Sequence, residues 1–287
     1  MDLTPHHFNP AGRLFEILAY CHSKANVSTH RVWSDYMDLD PESSLFYAGI
    51  AGIQALPAQA RAAFDALPAD VLILADADGA HEALNRAETA LRDGARDLTA
   101  NISQVTQRYN EGDLVHIKQC AKFLEGGLVR ATPTEADVTS LTASLDDIAR
   151  LANEIVELLA TAEDLPTQVR VALFEHADAF RRAVALARIE GPEAVLRERD
   201  RLTGLVVTNP AVREGLQANP TIRDKFVQIF TSANFSFGLI NAAAISSGHF
   251  VNLVHGLTAV LSGDANGLAL LLPQEPMPAL PPAEPTS

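Results

Sequence analysis

The residues best equipped for chemistry stand in "VLILADADG", Val71 to Gly79, where an apolar run ends in Asp76 and Asp78. A strand delivering an Asp-x-Asp pair to a turn would set hard carboxylate oxygens around a divalent cation and a phosphate. The surroundings argue against that. Pro68 and Asp70 precede the run as helix-starting residues, and no alternating series of strands and helices follows to build a parallel sheet. Counted as a calcium loop from Asp76, the sixth position is His81 and the twelfth Ala87, where glycine and glutamate are needed. The segment is expected to be a turn entering a helix that carries Leu84.

Other lures fail on spacing. His81-Glu82 opens like a zinc-protease helix, but Asn85 stands where the second histidine belongs. His22, His30, Asp35, Asp38 and Asp40 crowd together without a helical spacing that would converge them on a metal. Exposed loop residues are the expectation there, and a metal-dependent enzyme using them or Asp76 and Asp78 is the third reading. His176, in Glu175-His176-Ala177-Asp178, falls on an apolar stripe and reads as a hydrogen-bonded core histidine. Phosphate-loop, dinucleotide, nucleophile-elbow and Cys-x-x-Cys patterns are missing. No catalytic, cofactor-binding or metal residue is assigned, and no cofactor is expected.

Charge narrows the partners. The net charge is −14, from 36 acidic and 22 basic residues, a field that repels nucleic acid. The densest basic stretches are "FRRAVALAR", Phe180 to Arg188, and "LRERDRL", Leu196 to Leu202; the second alternates sign as a solvated helix face does. Cys21 and Cys120 lie far apart and read as reduced thiols of a cytoplasmic protein. The first twenty residues lack a basic segment followed by an apolar one, so no secretory signal is expected.

The elements that would position any site are helices. Ala, Leu, Glu, Arg and Asp dominate, which favours an all-α fold, a bundle of long amphipathic helices. Leu84, Leu91, Leu98 and Val105 recur every seven residues, interleaved with Ala95, Ile102 and Tyr109. Val138, Leu141, Leu145, Ile148, Ala152, Ile155, Leu159 and Ala162 alternate spacings of three and four. Each pattern draws one apolar seam down a helix of about 25 residues, which needs a partner helix. Partners within the chain are favoured over a coiled-coil dimer. Thr134 with Asp137 forms an acidic capping box for the second helix. Val169, Leu173, His176, Phe180, Val184 and Ala187 stripe a helix from Pro166 to Gly191, and Asn209-Pro210 and Asn219-Pro220 start two more. Short helices are expected over Gly12 to His22, Pro41 to Leu56 and Pro57 to Leu67. The expected regions are an amino-terminal helical part (1–68), a long-helix bundle (69–217), an apolar helical hairpin (218–272) and a disordered Pro-rich tail (273–287).

The sharpest feature is the stretch from Phe226 to Gly263, 38 residues without one Asp, Glu, Lys or Arg. On a helical wheel Asn234, Asn241, His249, Asn252 and His255 fall along one narrow polar stripe. Leu239, Phe250, Leu253, Leu257, Val260 and Leu261 lie opposite. Gly238, Ala242 and Ser246 add small residues that permit close helix approach. The amides and imidazoles make crossing hydrocarbon costly. A buried hairpin or a docking face is therefore preferred to membrane insertion. The leading expectation is a cytoplasmic, non-enzymatic interaction or scaffold protein that self-associates or docks a protein partner through apolar helix faces. The alternative is a latent membrane-inserting, pore-forming type of effector using residues 226–263.

Overall fold

The computed structural model describes residues 3–127, 134–241 and 259–260. These are helical throughout, with one isolated bridge, Ser28 to Asn101, as the sole strand-like pairing among them. A 3-10 turn, Pro5–Phe8, leads into α1 (Pro10–His22), α2 (Thr29–Met37), α3 (Ser44–Asp65), α4 (Ala69–Leu74), α5 (Ala77–Arg96), α6 (Ser103–Thr106) and α7 (Glu111–Gly127). The second half contains α8 (Glu135–Thr161), α9 (Thr167–Ala185), α10 (Ala187–Glu190), α11 (Glu193–Thr208), α12 (Pro210–Ala218) and α13 (Pro220–Asn241).

Helix starts follow from local chemistry. Asn9, Ser28, Ser43, Asn209 and Asn219 each accept a hydrogen bond from a first-turn backbone N–H. That satisfies donors that the helix itself leaves orphaned. At α8 the box is reciprocal: Asp137 N–H donates to Thr134 Oγ1 at 3.2 Å, and Thr134 N–H donates to Asp137 Oδ2 at 2.8 Å.

Several helix boundaries differ from expectation, and the helix expected from Pro166 to Gly191 is divided at Leu186 into α9 and α10. No break separates Leu56 from Pro57; α3 runs through it as one helix. An internal proline costs about 3 kcal/mol. The continuous face it preserves, Ile50, Ile53, Leu56, Ala60 and Phe64, is buried, and each large apolar side chain contributes about 1.5–3 kcal/mol. The seam through Leu84, Leu91, Leu98 and Val105 is also not a single helix, because α5 stops at Arg96. The Asp97 carboxylate accepts from Thr99 N at 3.1 Å, Ala100 N at 3.2 Å and the Thr99 hydroxyl at 2.7 Å, turning the chain. The freed backbone is then taken up by the approach to α2: Thr29 N donates to Ala100 O and His30 N to Leu98 O. The seam of α8, by contrast, is buried from Val138 to Leu159.

Two hydrophobic cores result. In the first, Leu14, Ile17, Trp33, Phe46, Phe64 and Leu84 pack together from α1, α2, α3 and α5, closed by α7 through Ile117 and Leu124. In the second, α8 packs Leu141, Leu145 and Ile155 against Leu173 and Phe180 of α9 and Phe226, Ile229 and Phe230 of α13. The partitions expected at residues 68 and 217 fall inside these cores, since α3 packs on α5, and α13 on α8 and α12. Among the described residues each lobe also lends the other one buried apolar side chain. Leu3 sits in the second core, and Ile189 of α10 in the first.

Candidate functional site at the junction of the lobes

The exchange of Leu3 and Ile189 brings polar groups together where the lobes meet. Arg13 of α1 is 2% exposed, and its guanidinium donates to His7 O at 3.1 Å and to Glu193 Oε1 of α11 at 3.1 Å. Gly191, with φ of +81°, lets the chain pass there; a Cβ would stand 2.2 Å from the Arg13 guanidinium. From the other side Arg188 donates to Tyr36 O at 2.7 Å, with its guanidinium 5.5 Å from the Tyr36 ring centroid.

His7 is the buried titratable group of this junction. Thr4 N–H donates to its Nδ1 at 2.9 Å, so the ring proton sits on Nε2, 3.4 Å from the Tyr36 hydroxyl. Burial lowers the imidazole to about 4, helped by the positive charge of Arg188. Burial likewise raises the Tyr36 phenol, with the Glu16 charge adding to it. Both rings are neutral near pH 7, so the joint is an uncharged pair flanked by two guanidinium ions.

Next to this joint, α3, α9, α10 and α11 bound an open cleft of about 350 Å³. Its wall carries Arg182, Arg197 and Arg201, and its floor Ala183, Leu186 and Ala194. Each guanidinium faces a carboxylate at some distance: Arg182 to Asp178 at 3.3 Å, Arg197 to Glu190 at 3.6 Å, and Arg201 to Glu198 at 3.4 Å. Glu198 is 4% exposed and is also bonded to His176 Nδ1. His176 is therefore a hydrogen-bonded residue at the core's edge.

The remaining candidate residues do not converge. His30 Nε2 lies 3.3 Å from Pro41 O with its ring edge-on to Phe46, and Asp35 is paired with Arg31. Asp38 ends α2 in the left-handed region, Asp40 accepts from Glu42 N, and His22 stacks near Tyr109. Asp76 caps α5 by accepting from Gly79 N, and lies 3.8 Å from His116; His81 pairs with Asp65. Among the described residues no three His, Cys, Asp or Glu side chains are grouped as a metal would need. The apolar run before Asp76 is helix α4, not a strand, and it leaves Ile73 82% and Leu74 77% exposed.

Of the uncharged stretch, Phe226, Ile229, Phe230 and Ala233 are buried in the second core. Val260 is buried there too, and its carbonyl accepts from Gln217 Nε2 at 2.8 Å. The side chains of Leu239, Asn234 and Asn241, and residues His249, Phe250, Asn252, Leu253, His255, Leu257 and Leu261, lie outside the described residues. Among the described residues no helix is long and apolar enough to cross a membrane.

Sequence reasoning missed the cleft, although both basic stretches were visible. Their convergence depends on α9 packing against α11, which a pattern on either helix alone does not reveal. No family model, no curated protein and no solved structure matches the chain.

Proposed function

We propose that this chain is a non-enzymatic helical bundle protein that self-associates, pairing the outer face of α9 with the same face of a second copy. The observation that carries the reading is the exposure of Val171 (50%) and Phe174 (44%), large apolar side chains on a long helix whose opposite face fills the second core. Their spacing continues through Asp178, Arg181 and Arg182, so the outer stripe is apolar in its first half and charged in its second. Antiparallel pairing about a two-fold axis beside Ala172 sets Val171 against Phe174 of the partner subunit and Arg170 against Glu175 of the partner subunit, twice over. Such an isologous contact is self-complementary by construction. The two Phe174 rings would supply the apolar anchors that dominate interface energetics.

The test is light scattering after size exclusion, on the wild-type chain and on Phe174→Glu. The wild type is expected to run as a dimer whose population rises with concentration, and Phe174→Glu as a monomer with an unchanged circular dichroism spectrum. A wild-type chain that stays monomeric at the highest attainable concentration overturns the proposal.

A further inference from the structure

We propose that residues 3–8 are an acid-released strap: protonation of His7 swings them off the junction about Asn9 and uncovers the apolar seat of Leu3 in the second lobe. The geometry for this is independent of self-association. Leu3 and Phe8 pack against the second core, while the His7 ring between them reaches the Tyr36 hydroxyl in the first lobe. Asn9, extended at φ −139° and ψ 156°, is held in place by capping α1 and by donating to Ala121 O at 3.4 Å. The strap therefore has a fixed hinge at one end and an apolar plug at the other.

His7 is the latch because its proton count decides its bonds. Thr4 N–H donates to Nδ1 at 2.9 Å, so a proton arriving on Nδ1 turns that acceptor into a donor and orphans the N–H. The Thr4 hydroxyl, 3.0 Å from Nδ1, can accept the new proton but does not restore a partner to the N–H. The imidazolium is also a third cation in the joint. Arg13 of α1 donates to His7 O, and Arg188 of α10 lies over the Tyr36 ring. The carboxylates of the joint are already engaged: Glu16 of α1 accepts from the Thr4 hydroxyl at 3.2 Å, and Glu193 of α11 pairs with Arg13. From α2, Tyr36 presents only a neutral phenol. His6 works against release, since it faces Glu125 of α7 at 3.7 Å and, once protonated, holds the strap there. Freed into water, the His7 ring recovers its ordinary value of 6.5, against about 4 in place. The opening equilibrium of the strap should therefore rise about a hundredfold between pH 7 and pH 4.

Amide hydrogen exchange on the full chain tests this, with each rate divided by the intrinsic rate at the same pH. The reporters are the amides of Thr4 and His7, which donate to His7 Nδ1 and Thr4 O, against amides of α8. Protection at Thr4 and His7 should fall about hundredfold from pH 7 to pH 4. It should also be insensitive to urea below the unfolding transition, as a local opening is, while protection in α8 stays higher throughout and declines with urea. In His7→Asn, which keeps an acceptor for Thr4 N–H, the pH dependence at Thr4 should largely disappear. In His6→Gln the acid release should be larger than in the wild type. Constant protection of Thr4 and His7 between pH 7 and pH 4 overturns the proposal. So does a fall that carries the same urea dependence as α8, because the whole chain is then unfolding. An equal fall in His7→Asn, or a fall abolished in His6→Gln, takes the latch away from His7 and overturns it too.

Discussion

Acidification should weaken this fold through His7 in a way that one variant can isolate. The folded imidazole titrates at about 4 because burial and Arg188 oppose its charge, against an ordinary value of 6.5. Above pH 6.5 the ring is neutral in both folded and unfolded chains, and its titration contributes no pH dependence. Between 6.5 and about 4 the unfolded chain takes up a proton that the folded chain refuses, so stability falls as the pH falls. Below about 4 both states hold the proton and the slope ends. At about 1.36 kcal/mol per pH unit, the gap amounts to about 3 kcal/mol. That is a large share of the roughly 5–15 kcal/mol of a typical domain. Carboxylates titrate in the same range, so the measurement is a difference. Urea denaturation followed by circular dichroism, at steps from pH 7 to pH 4, compares the wild type with His7→Asn, which keeps an acceptor for Thr4 N–H. At pH 7 the wild type should be the more stable chain, and its advantage should shrink by about 3 kcal/mol by pH 4. A wild-type advantage that stays constant across that range refutes the reasoning.

Two further outcomes follow from close packing. Gly12→Ala should destabilise the chain although alanine favours helix by about 1 kcal/mol, because the added Cβ would lie 2.0 Å from the His6 carbonyl oxygen, a backbone atom that has no rotamer to change; the urea midpoint measures it. Cys21 and Cys120 are fully buried, and burial pushes both thiols up to about 12, so a thiol reagent at pH 8 should modify neither in the native chain and both in urea. Rapid modification of Cys21 without denaturant would contradict its placement in the first core.

The parts of this fold that were legible in sequence are those written locally. The α8 seam, the Thr134–Asp137 box, and the Asn209 and Asn219 caps involve residues within four positions of one another, and periodicity or capping chemistry reports them directly. The α3 continuity was illegible because Pro57 is a strong local signal for a break, outweighed by burial of a face whose partners lie on α1 and α5. The heptad from Leu84 to Val105 misled for the opposite reason. Its spacing survives a turn at Asp97, since Leu91 and Val105 reach the same core from different helices. The junction was hidden because Arg13 meets Glu193 from 180 positions away and Arg188 meets Tyr36 from 152, and none of the four carries a motif. His176 was placed correctly on its stripe, but its partner, 22 residues on, could not be read from spacing.

The reciprocal loan of Leu3 and Ile189 constrains the order of assembly on the ribosome. Leu3 is made before every helix of the second core, so its seat there exists only after that later sequence has been made. The first lobe must therefore wait for Ile189 to fill the space that Gly52 leaves open, where a Cβ would stand 2.8 Å from the isoleucine. Until then its surface keeps an apolar notch, and the segment around Leu3 lacks its seat. The two halves become mutually locked only once both loaned residues are seated, so a chain interrupted within α9 would leave both cores incomplete.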